Sequence, residues 1–236
     1  MTVERRHITG FSNPTVKALR ALREKKHRKA AGRFLAEGLR LLTDARECGH
    51  VPEVLVLADR REPHPLLAAL EASVAAAGGE IIETTPDILA KITGKENPQA
   101  VAGVFAEFGT ALEAIERETA EIWLVAQALR DPGNLGTMLR TGDAIGAGGL
   151  ILIDDCADPF SVEAVRASMG AIFTQRVAQA RWDDNWGNAA RDIDLYLTDV
   201  AGLILKVSSD PQSGAPGQYP AEFLIFTAPS TGTYFL

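Results

Sequence analysis

The sequence predicts an α/β protein that is built from two α/β domains. Apolar segments typical of buried strands alternate along the chain with segments typical of helices. The strands of the second half are continuous apolar runs rather than alternating ones, which indicates a parallel sheet covered on both faces. A chain of 236 residues that is 46% apolar and 23% charged is long enough for one large domain or two small ones, and it can bury a core.

The first predicted domain spans residues 1–110. Ser12, Asn13 and Pro14 are typical of a helix start, and the amphipathic stretch SNPTVKALRALREKKHRKAAG follows from there. The remaining elements are predicted in this order: a short strand and a second helix in RFLAEGLRLLTDARECG, a strand in EVLVLAD, a helix over 65–77, a strand in EIIETT, a short helix in PDILAKIT and a strand in VAGVFAEF.

The polar stretch GTALEAIERETA predicts a linker near residues 109–119, so that the second domain spans residues 119–236. Its predicted elements are strand 121–129, helix 135–146, strand 149–154, helix 161–170, strand 172–179, helix 184–192, strand 194–200 and strand 222–227. Residues 208–220, rich in Ser, Pro and Gly, are predicted to be a loop or a disordered connector. Parallel sheets bind their ligands at the carboxyl ends of the strands.

The charge of the chain is distributed unevenly. The net charge is −7, but residues 1–40 hold eleven lysines and arginines against three glutamates, a net charge of +8 that leaves −15 for the rest. A basic block on an acidic protein is typical of a site for a polyanion, usually nucleic acid, although a solvent-exposed helix face is the alternative. No aromatic residues interleave with the cations, which favours phosphate contacts over base stacking. The candidate RNA-binding residues of this block are Arg20, Arg23, Lys25, Lys26, Arg28 and Lys29.

Several protein classes are excluded by composition. Two cysteines, Cys48 and Cys156, supply neither a disulfide framework nor a zinc quartet, so no metal is expected and a reducing cytoplasm is the expected compartment. The amino-terminal residues lack the apolar core of a signal peptide, and no apolar run reaches the length of a membrane span. We therefore expect a cytoplasmic protein without a membrane partner.

The stretch DPGNLGTMLRTGDAIGAGG at residues 131–149 combines turn chemistry with a helix start, and Asn134 stands where an N-cap is expected. A dinucleotide fingerprint is the first alternative, but GNLG has no third glycine at the required spacing, and GAGG precedes its strand rather than following it. A P-loop is excluded because no GK[ST] triplet occurs in the chain.

The pattern Asn134-x-Gly136-x-x-x-Arg140, followed by GGLILIDD, DPFS and VRASMGAIF, resembles motifs 1 and 2 of the SpoU (TrmH-like) branch of the SPOUT RNA methyltransferases. The stretch NPTVKALRALREKKHRKAAGRFLAEGLRLL is similar to the basic, L30e-like substrate-binding domain of that family. The resemblance covers residues 12–207. It implies a knot-type catalytic domain, a homodimer, and transfer of a methyl group from S-adenosylmethionine to a ribose 2′-hydroxyl of ribosomal or transfer RNA.

The resemblance assigns roles to the two polar residues of the first motif. Arg140 corresponds to the catalytic arginine, whose guanidinium suits binding of a phosphate while one N–H points at the hydroxyl oxygen. The alternative for Arg140 is an ordinary solvated arginine on a helix. Asn134 is the second catalytic candidate, and its role as an N-cap is compatible with this.

In the second motif, Ser161 is expected to cap the helix after the DPF turn. Arg166 and Ser168 are the candidate RNA-binding residues there, although Arg166 could equally be a surface residue. Thr198 and Asp199 stand where family members line the cofactor cleft, and the alternative for both is a strand-ending turn.

The resemblance ends before the third motif of the family. Thr227 and Pro229 stand where its glycine and glutamate are expected, and Thr227 is the remaining candidate for cofactor binding. No Ile-Pro-Met or Ser-Leu-Asn stretch follows. We therefore expect a catalytic domain that is truncated or divergent after about residue 207 and incomplete as a knot. The alternative function is an RNA-binding protein that has lost its cofactor.

Overall fold

The structure is a computed structural model that describes residues 5–59, 61–95, 97–115, 119–120 and 122–181, together with the backbone of three strands at 195–199, 204–208 and 234–235. The chain divides into two compact units, Met1–Ala180 and Arg181–Leu236. In the part of the chain that is described, no helix combines the length and apolar character needed to cross a bilayer.

The first sheet of Met1–Ala180 has five strands. Its elements, with the helices between them, are β1 (Arg5–Ile8), α1 (Pro14–Ala21), α2 (Lys25–Ala31), β2 (Arg33–Glu37), α3 (Leu39–Glu47), β3 (Val54–Ala58), α4 (Pro65–Ala76), β4 (Glu80–Thr84), α5 (Pro86–Thr93) and β5 (Val101–Ala106). The strand order is β1-β4-β3-β5-β2, in which β1, β4 and β3 are parallel and β5 is antiparallel to both β3 and β2. Strand β1 is the only element of this sheet that the sequence did not predict.

The basic stretch near the amino terminus forms two helices rather than one. The Asn13 side chain accepts a hydrogen bond from the Thr15 N–H at 2.8 Å, and Pro14 occupies the first helical position, which confirms the predicted start. Helix α1 ends at Ala21, and α2 begins at Lys25 after a short turn. The cations of this stretch are therefore divided between two helices.

The second sheet has three parallel strands, as the continuous apolar runs predicted. Its elements are β6 (Leu124–Gln127), α6 (Pro132–Ala144), β7 (Gly149–Ile153), α7 (Val162–Ala167) and β8 (Arg176–Ala180), in the strand order β6-β7-β8. The strand predicted from residue 172 begins later, because Ala171–Phe173 forms a 3₁₀ turn. Both crossovers are helical, so the carboxyl ends of the three strands lie at one edge.

One hydrophobic core joins the two sheets. Phe34 of β2 lies 5.1 Å from Phe160 and 6.0 Å from Phe173 between ring centroids, and Phe105 of β5 lies 4.8 Å from Phe173. All four rings are buried in the same cluster as Leu135 of α6. A second cluster, formed by Ile8, Val16, Leu19, Leu22, Val56, Ile82, Ile88 and their neighbours, packs α1 and α5 against the first sheet.

The unit Arg181–Leu236 contains a third sheet, with β9 (Leu195–Asp199) between β10 (Ile204–Ser208) and β11 (Tyr234–Phe235). Strand β9 confirms the strand predicted over 194–200. Both of its pairings are antiparallel, and β10 was not predicted. The connection over 200–203 is too short for the crossover that a parallel pair requires. The predicted helix 184–192 and strand 222–227 lie outside the described residues, as does the predicted loop 208–220 apart from Ser208.

Candidate active site and nucleic-acid interface

The carboxyl edge of β6 and β7 carries unusual backbone geometry. Ala128, which follows β6, and Asp154, which follows β7, have φ angles of +50° and +60°, a left-handed conformation that costs a non-glycine residue free energy. The Gln127 side-chain amide donates a hydrogen bond to the Asp154 carboxylate at 2.9 Å and joins the two strand ends. Because such backbone strain concentrates at functional sites, this edge is the candidate active site.

Helix α6 begins at this edge, and Asp131 is its N-cap. The Asp131 carboxylate accepts a hydrogen bond from the Asn134 N–H at 2.6 Å, and Pro132 is the first helical residue. The prediction that Asn134 is the N-cap is therefore wrong. Both residue types cap helices well, but Pro132 strongly favours the first helical position, and this places the cap at Asp131. The Asn134 side chain is exposed.

Arg140 lies on the third turn of α6 and is exposed. Among the described residues it forms no hydrogen bond or ion pair. Asn134 and Arg140 are separated by about 9 Å along the helix axis and by about 120° around it, so the two do not share a face of α6. The structure does not bring these two candidate catalytic residues together within one chain, and their roles stay predictions.

Gly136, the middle residue of the first motif, lies where α6 crosses α7. A Cβ atom added there would lie 2.6 Å from the Cβ of Ala167 and 2.7 Å from the backbone N of Ser168. Only a glycine allows the two helices to approach so closely. The motif glycine is therefore a packing residue that holds the first motif against the second.

Two residues of the second motif have structural roles. The Ser161 hydroxyl accepts a hydrogen bond from the Ala164 N–H at 3.2 Å, which confirms the predicted cap of α7. The Ser168 hydroxyl is buried, donates to the Val165 carbonyl at 2.7 Å and accepts from the Ile172 N–H at 3.4 Å. Ser168 thus links the end of α7 to the next turn. The prediction that it contacts RNA is wrong in this structure, because no solvent reaches it.

A cleft of about 740 Å³ opens between α1, the end of α5 and α7; we call it the basic cleft. Its lining residues are Lys17, Arg20, Ala21, Arg23, Glu24, Thr93, Gly94, Lys95, Val162, Glu163 and Arg166. Five cations thus face two carboxylates. The cleft brings together three of the predicted RNA-binding residues, Arg20 and Arg23 of the amino-terminal block and Arg166 of the second motif. Lys17 and Lys95 are additional cations that sequence reasoning did not single out.

Arg28 is buried, which contradicts its prediction as an RNA-binding residue. It is 2% exposed, and its guanidinium donates to the Asp158 carboxylate at 2.7 Å and to the carbonyls of Leu22 and Arg23 at 2.9 and 2.7 Å. A guanidinium that is buried in this way is not accessible to a phosphate. The acidic residue of the DPF turn was the available signal, but the sequence does not show which cation it pairs with.

The other cations of α2 remain at the surface. Lys25 and Lys26 are exposed, and Lys29 forms an ion pair with Glu107 at 3.0 Å. None of the three lines the basic cleft. Their role in RNA binding stays a prediction.

The candidate cofactor residues lie in the second unit. Thr198 and Asp199 are the last two residues of β9, and only their backbone is described; Thr227 lies outside the described residues. Their roles also stay predictions. Within the described ranges, no group of three or more His, Cys, Asp or Glu side chains is arranged to hold a metal ion.

Comparisons with known proteins identify both halves of the chain. Residues 13–103 match the MRM3-like substrate binding domain, and residues 121–211 match the SpoU rRNA Methylase family. The chain is 30% identical to the 23S rRNA (guanosine(2553)-2′-O)-methyltransferase RlmP of Bacillus subtilis, in an alignment that covers 90% of this chain and 77% of that protein.

Solved structures show the same relationship. The AdoMet-bound rRNA methyltransferase from Sinorhizobium meliloti superposes with a TM-score of 0.69 at 40% identity, covering 75% of this chain and 65% of that one. The SpoU methyltransferase AviRb from Streptomyces viridochromogenes, in complex with AdoMet, gives a TM-score of 0.65 at 28% identity, covering 72% and 64%. The present chain thus spans somewhat less than two thirds of these two structures.

Proposed function

Because the chain belongs to the SpoU rRNA methylase family, we propose that it transfers a methyl group from S-adenosylmethionine to a ribose 2′-hydroxyl of RNA, with ribosomal RNA as the substrate class. The observation that carries this proposal is the packing of the first motif against the second through Gly136, beside a strained sheet edge. The basic cleft lies along the same helix α7 and suits a polyanionic substrate.

The reaction demands positioning more than activation of the donor. S-adenosylmethionine supplies a methyl group on a sulfonium centre that is already activated for transfer. A ribose hydroxyl is a poor nucleophile, so the protein must hold it in line and stabilise the negative charge that grows on its oxygen. Arg140 fits this task, because a guanidinium can bind a phosphate and the oxygen together.

The polar side chains at the carboxyl edge of the second sheet suit S-adenosylmethionine. Gln127, Asp154 and Asp155 place amide and carboxylate groups there, and Asp154 and Asp155 are exposed. Carboxylates suit both the ribose hydroxyls and the positive sulfonium of S-adenosylmethionine. We include Thr198, Asp199 and Thr227 as further cofactor-binding residues on the basis of the family resemblance.

A homodimer completes the proposal. Ile122, Val125 of β6 and Ile145 at the end of α6 expose 44%, 57% and 51% of their surface. Large apolar side chains that stay exposed in a single chain are candidates for burial in a protein interface. A partner subunit there would also supply a second copy of α6, which a single chain needs if Asn134 and Arg140 are to act on one substrate.

We propose that the protein acts in the cytoplasm. Cys48 and Cys156 are both free thiols, and Cys156 uses its sulfur to accept a hydrogen bond from the Leu129 N–H at 3.3 Å. Free thiols are typical of a reducing compartment.

The experiment that tests the function measures methyl transfer from labelled S-adenosylmethionine to ribosomal RNA. Arg140→Ala should lower the rate by about 100-fold or more, because losing one donor to a developing oxyanion typically costs that much. Cofactor binding by calorimetry and the melting temperature should stay unchanged. Arg33→Ala, which removes an exposed arginine of β2, is the matched control and should retain full transfer.

Two outcomes would contradict the proposal. Full methyl transfer by Arg140→Ala would show that Arg140 takes no part in the reaction. No heat with millimolar S-adenosylmethionine, together with retained RNA binding, would favour the alternative of an RNA-binding protein that lacks the cofactor.

A further inference from the structure

Two cations from different halves of the chain meet at one point of the surface. Lys95 follows α5 of the first sheet, and Arg166 lies on α7 beside the second sheet. Both line the basic cleft, and both also line a smaller cavity of about 220 Å³ beside the turn that connects β2 to α3. These two residues therefore form the boundary between the cavities.

A buried carboxylate lies between these cations. The Glu37 side chain is 6% exposed, and its Oε1 accepts a hydrogen bond from the Gln99 N–H at 2.7 Å. Its Oε2 lies 3.3 Å from the Lys95 Nζ and 4.0 Å from the Arg166 Nη2, and has no hydrogen bond among the described residues. Glu37 is therefore fixed by the backbone and attracts both cations without using all of their donors.

The wall of the basic cleft that α1 and the turn after it form is also ordered by a specific contact. The Arg23 guanidinium lies directly over Gly94, the residue that ends α5 with a φ angle of +75°. Any Cβ atom at position 94 would overlap the guanidinium. Together with Lys17 and Arg20, Arg23 gives this wall three cations, whereas the carboxylates of the cleft are those of Glu24 and Glu163.

We propose that the basic cleft binds the sugar-phosphate backbone of the RNA substrate, with Lys95 and Arg166 contacting the same stretch of phosphates and Glu37 acting as their positioning residue. This inference rests on the proposed function. It assigns Lys17 and Lys95 to RNA contact.

The size and charge of the cleft support this occupant. Five cations against the carboxylates of Glu24, Glu163 and Glu37 leave this region a net charge of +2, which attracts a polyanion although the whole protein carries −7. A volume of about 740 Å³ is that of a site for a molecule of a few nucleotides. Because the cleft is lined by both halves of the chain, an RNA strand bound there is held by the amino-terminal half and by the motif-bearing half together.

The test compares Lys95→Gln with Lys91→Gln. Lys91 is an exposed lysine on the last turn of α5, the helix that Lys95 follows, and it does not line the cleft. Binding of a fluorescent ribosomal RNA fragment is measured by anisotropy over a range of salt concentrations, without the cofactor. Lys95→Gln and Arg166→Gln should each weaken binding about fivefold at 0.1 M salt and lower the slope of log K against log salt by about 0.7 to 0.9. Lys91→Gln should match the wild type.

Glu37→Gln separates positioning from simple charge. Removing a negative charge from a basic cleft should strengthen RNA binding if only the net charge matters. If Glu37 positions Lys95 and Arg166, the variant should instead bind RNA more weakly, and it should have little further effect in a Lys95→Gln background. Melting temperatures of all variants confirm that they fold.

The outcomes distinguish this inference from the proposed function. If the wild type fails to bind RNA, the proposed function fails with it. If the wild type binds RNA but Lys95→Gln and Arg166→Gln behave like Lys91→Gln, the cleft is not the contact surface, and the function stands. If poly-glutamate displaces the labelled RNA as well as unlabelled RNA does, the RNA backbone is not the specific occupant of the cleft. Tighter binding by Glu37→Gln would overturn its positioning role.

Discussion

Arg28 and Asp158 form a buried ion pair between residues 130 positions apart, with 2.7 Å between Nη2 and Oδ2. The side chains are 3% and 6% exposed. Arg28 belongs to α2 of the amino-terminal half, and Asp158 lies in the turn before α7. The same carboxylate accepts a hydrogen bond from the Phe160 N–H at 3.0 Å. This pair therefore fixes the second motif to the half that carries the basic block.

Arg28→Ala should lower the free energy of unfolding by about 3 to 5 kcal/mol, because it leaves the Asp158 carboxylate buried without a cation. Lys26→Ala is the matched control on the same helix. Lys26 is exposed and forms no ion pair among the described residues, so the loss should stay below about 0.5 kcal/mol. Urea unfolding measures both variants. Equal, small losses would show that the buried pair is not needed for stability.

Gly136→Ala should destabilise the protein by about 1 to 3 kcal/mol through overpacking between α6 and α7, and this outweighs the gain of up to about 1 kcal/mol in helix propensity. Gly109→Ala is the control, since a Cβ atom there meets nothing within 4 Å. Thermal unfolding compares the two. A Gly136→Ala variant as stable as the wild type would contradict the packing role of the motif glycine.

Asp131→Ala should cost about 1 kcal/mol, the usual contribution of an N-cap, whereas Asn134→Ala should change the stability by less than about 0.5 kcal/mol. Chemical denaturation of the two variants measures the difference. A larger loss of stability in Asn134→Ala than in Asp131→Ala would instead identify Asn134 as the N-cap.

Glu83 should make stability depend on pH in the acid range. A hydrogen bond from Arg61 at 3.1 Å, opposed by partial burial and assisted by a second hydrogen bond from Arg5 at 3.0 Å, holds the pKa of the Glu83 carboxyl below its ordinary value of 4.5. A lowered pKa in the folded state gives stability that is fully present above pH 4.5 and is lost as the pH falls through the folded pKa.

Glu83→Gln should therefore flatten the decline of unfolding free energy below pH 4.5. Arg61→Gln, which removes the strongest donor, should flatten it as well. Urea titrations at a series of pH values measure the slopes. Parallel curves for the wild type and Glu83→Gln would contradict the assignment.

Local signals predicted much of the fold. Asn13 with Pro14 and Ser161 mark helix starts through neighbouring residues, and the apolar runs of the second half correctly predicted the parallel pairing of β6, β7 and β8. The expected covering of both faces is wrong for β6 in the described part of the chain, where Val125 is 57% exposed. The pairing of β10 with β9 was missed because β10 itself was not predicted, and its antiparallel direction follows from the short connection between the two strands.

The candidate site was predicted less completely, because burial depends on partners that are distant in sequence. Arg28 has the same sequence context as its basic neighbours, and its burial depends on the distant Asp158 together with the carbonyls of Leu22 and Arg23. A serine hydroxyl can contact nucleic acid, but that of Ser168 donates its hydrogen bond to the Val165 carbonyl inside the protein. Lys95 was overlooked because it lies far along the chain from the basic block and reaches the same cleft only through the fold.

The ring contacts of Phe34 with Phe160 and Phe173 limit how this protein can evolve or be engineered. The two halves match separate family models, yet each contributes buried aromatic rings to one shared core. A chimera that takes one half from a relative would combine core side chains that do not pack against each other. Recombination between relatives should therefore succeed only when both sides of this aromatic contact are transferred together.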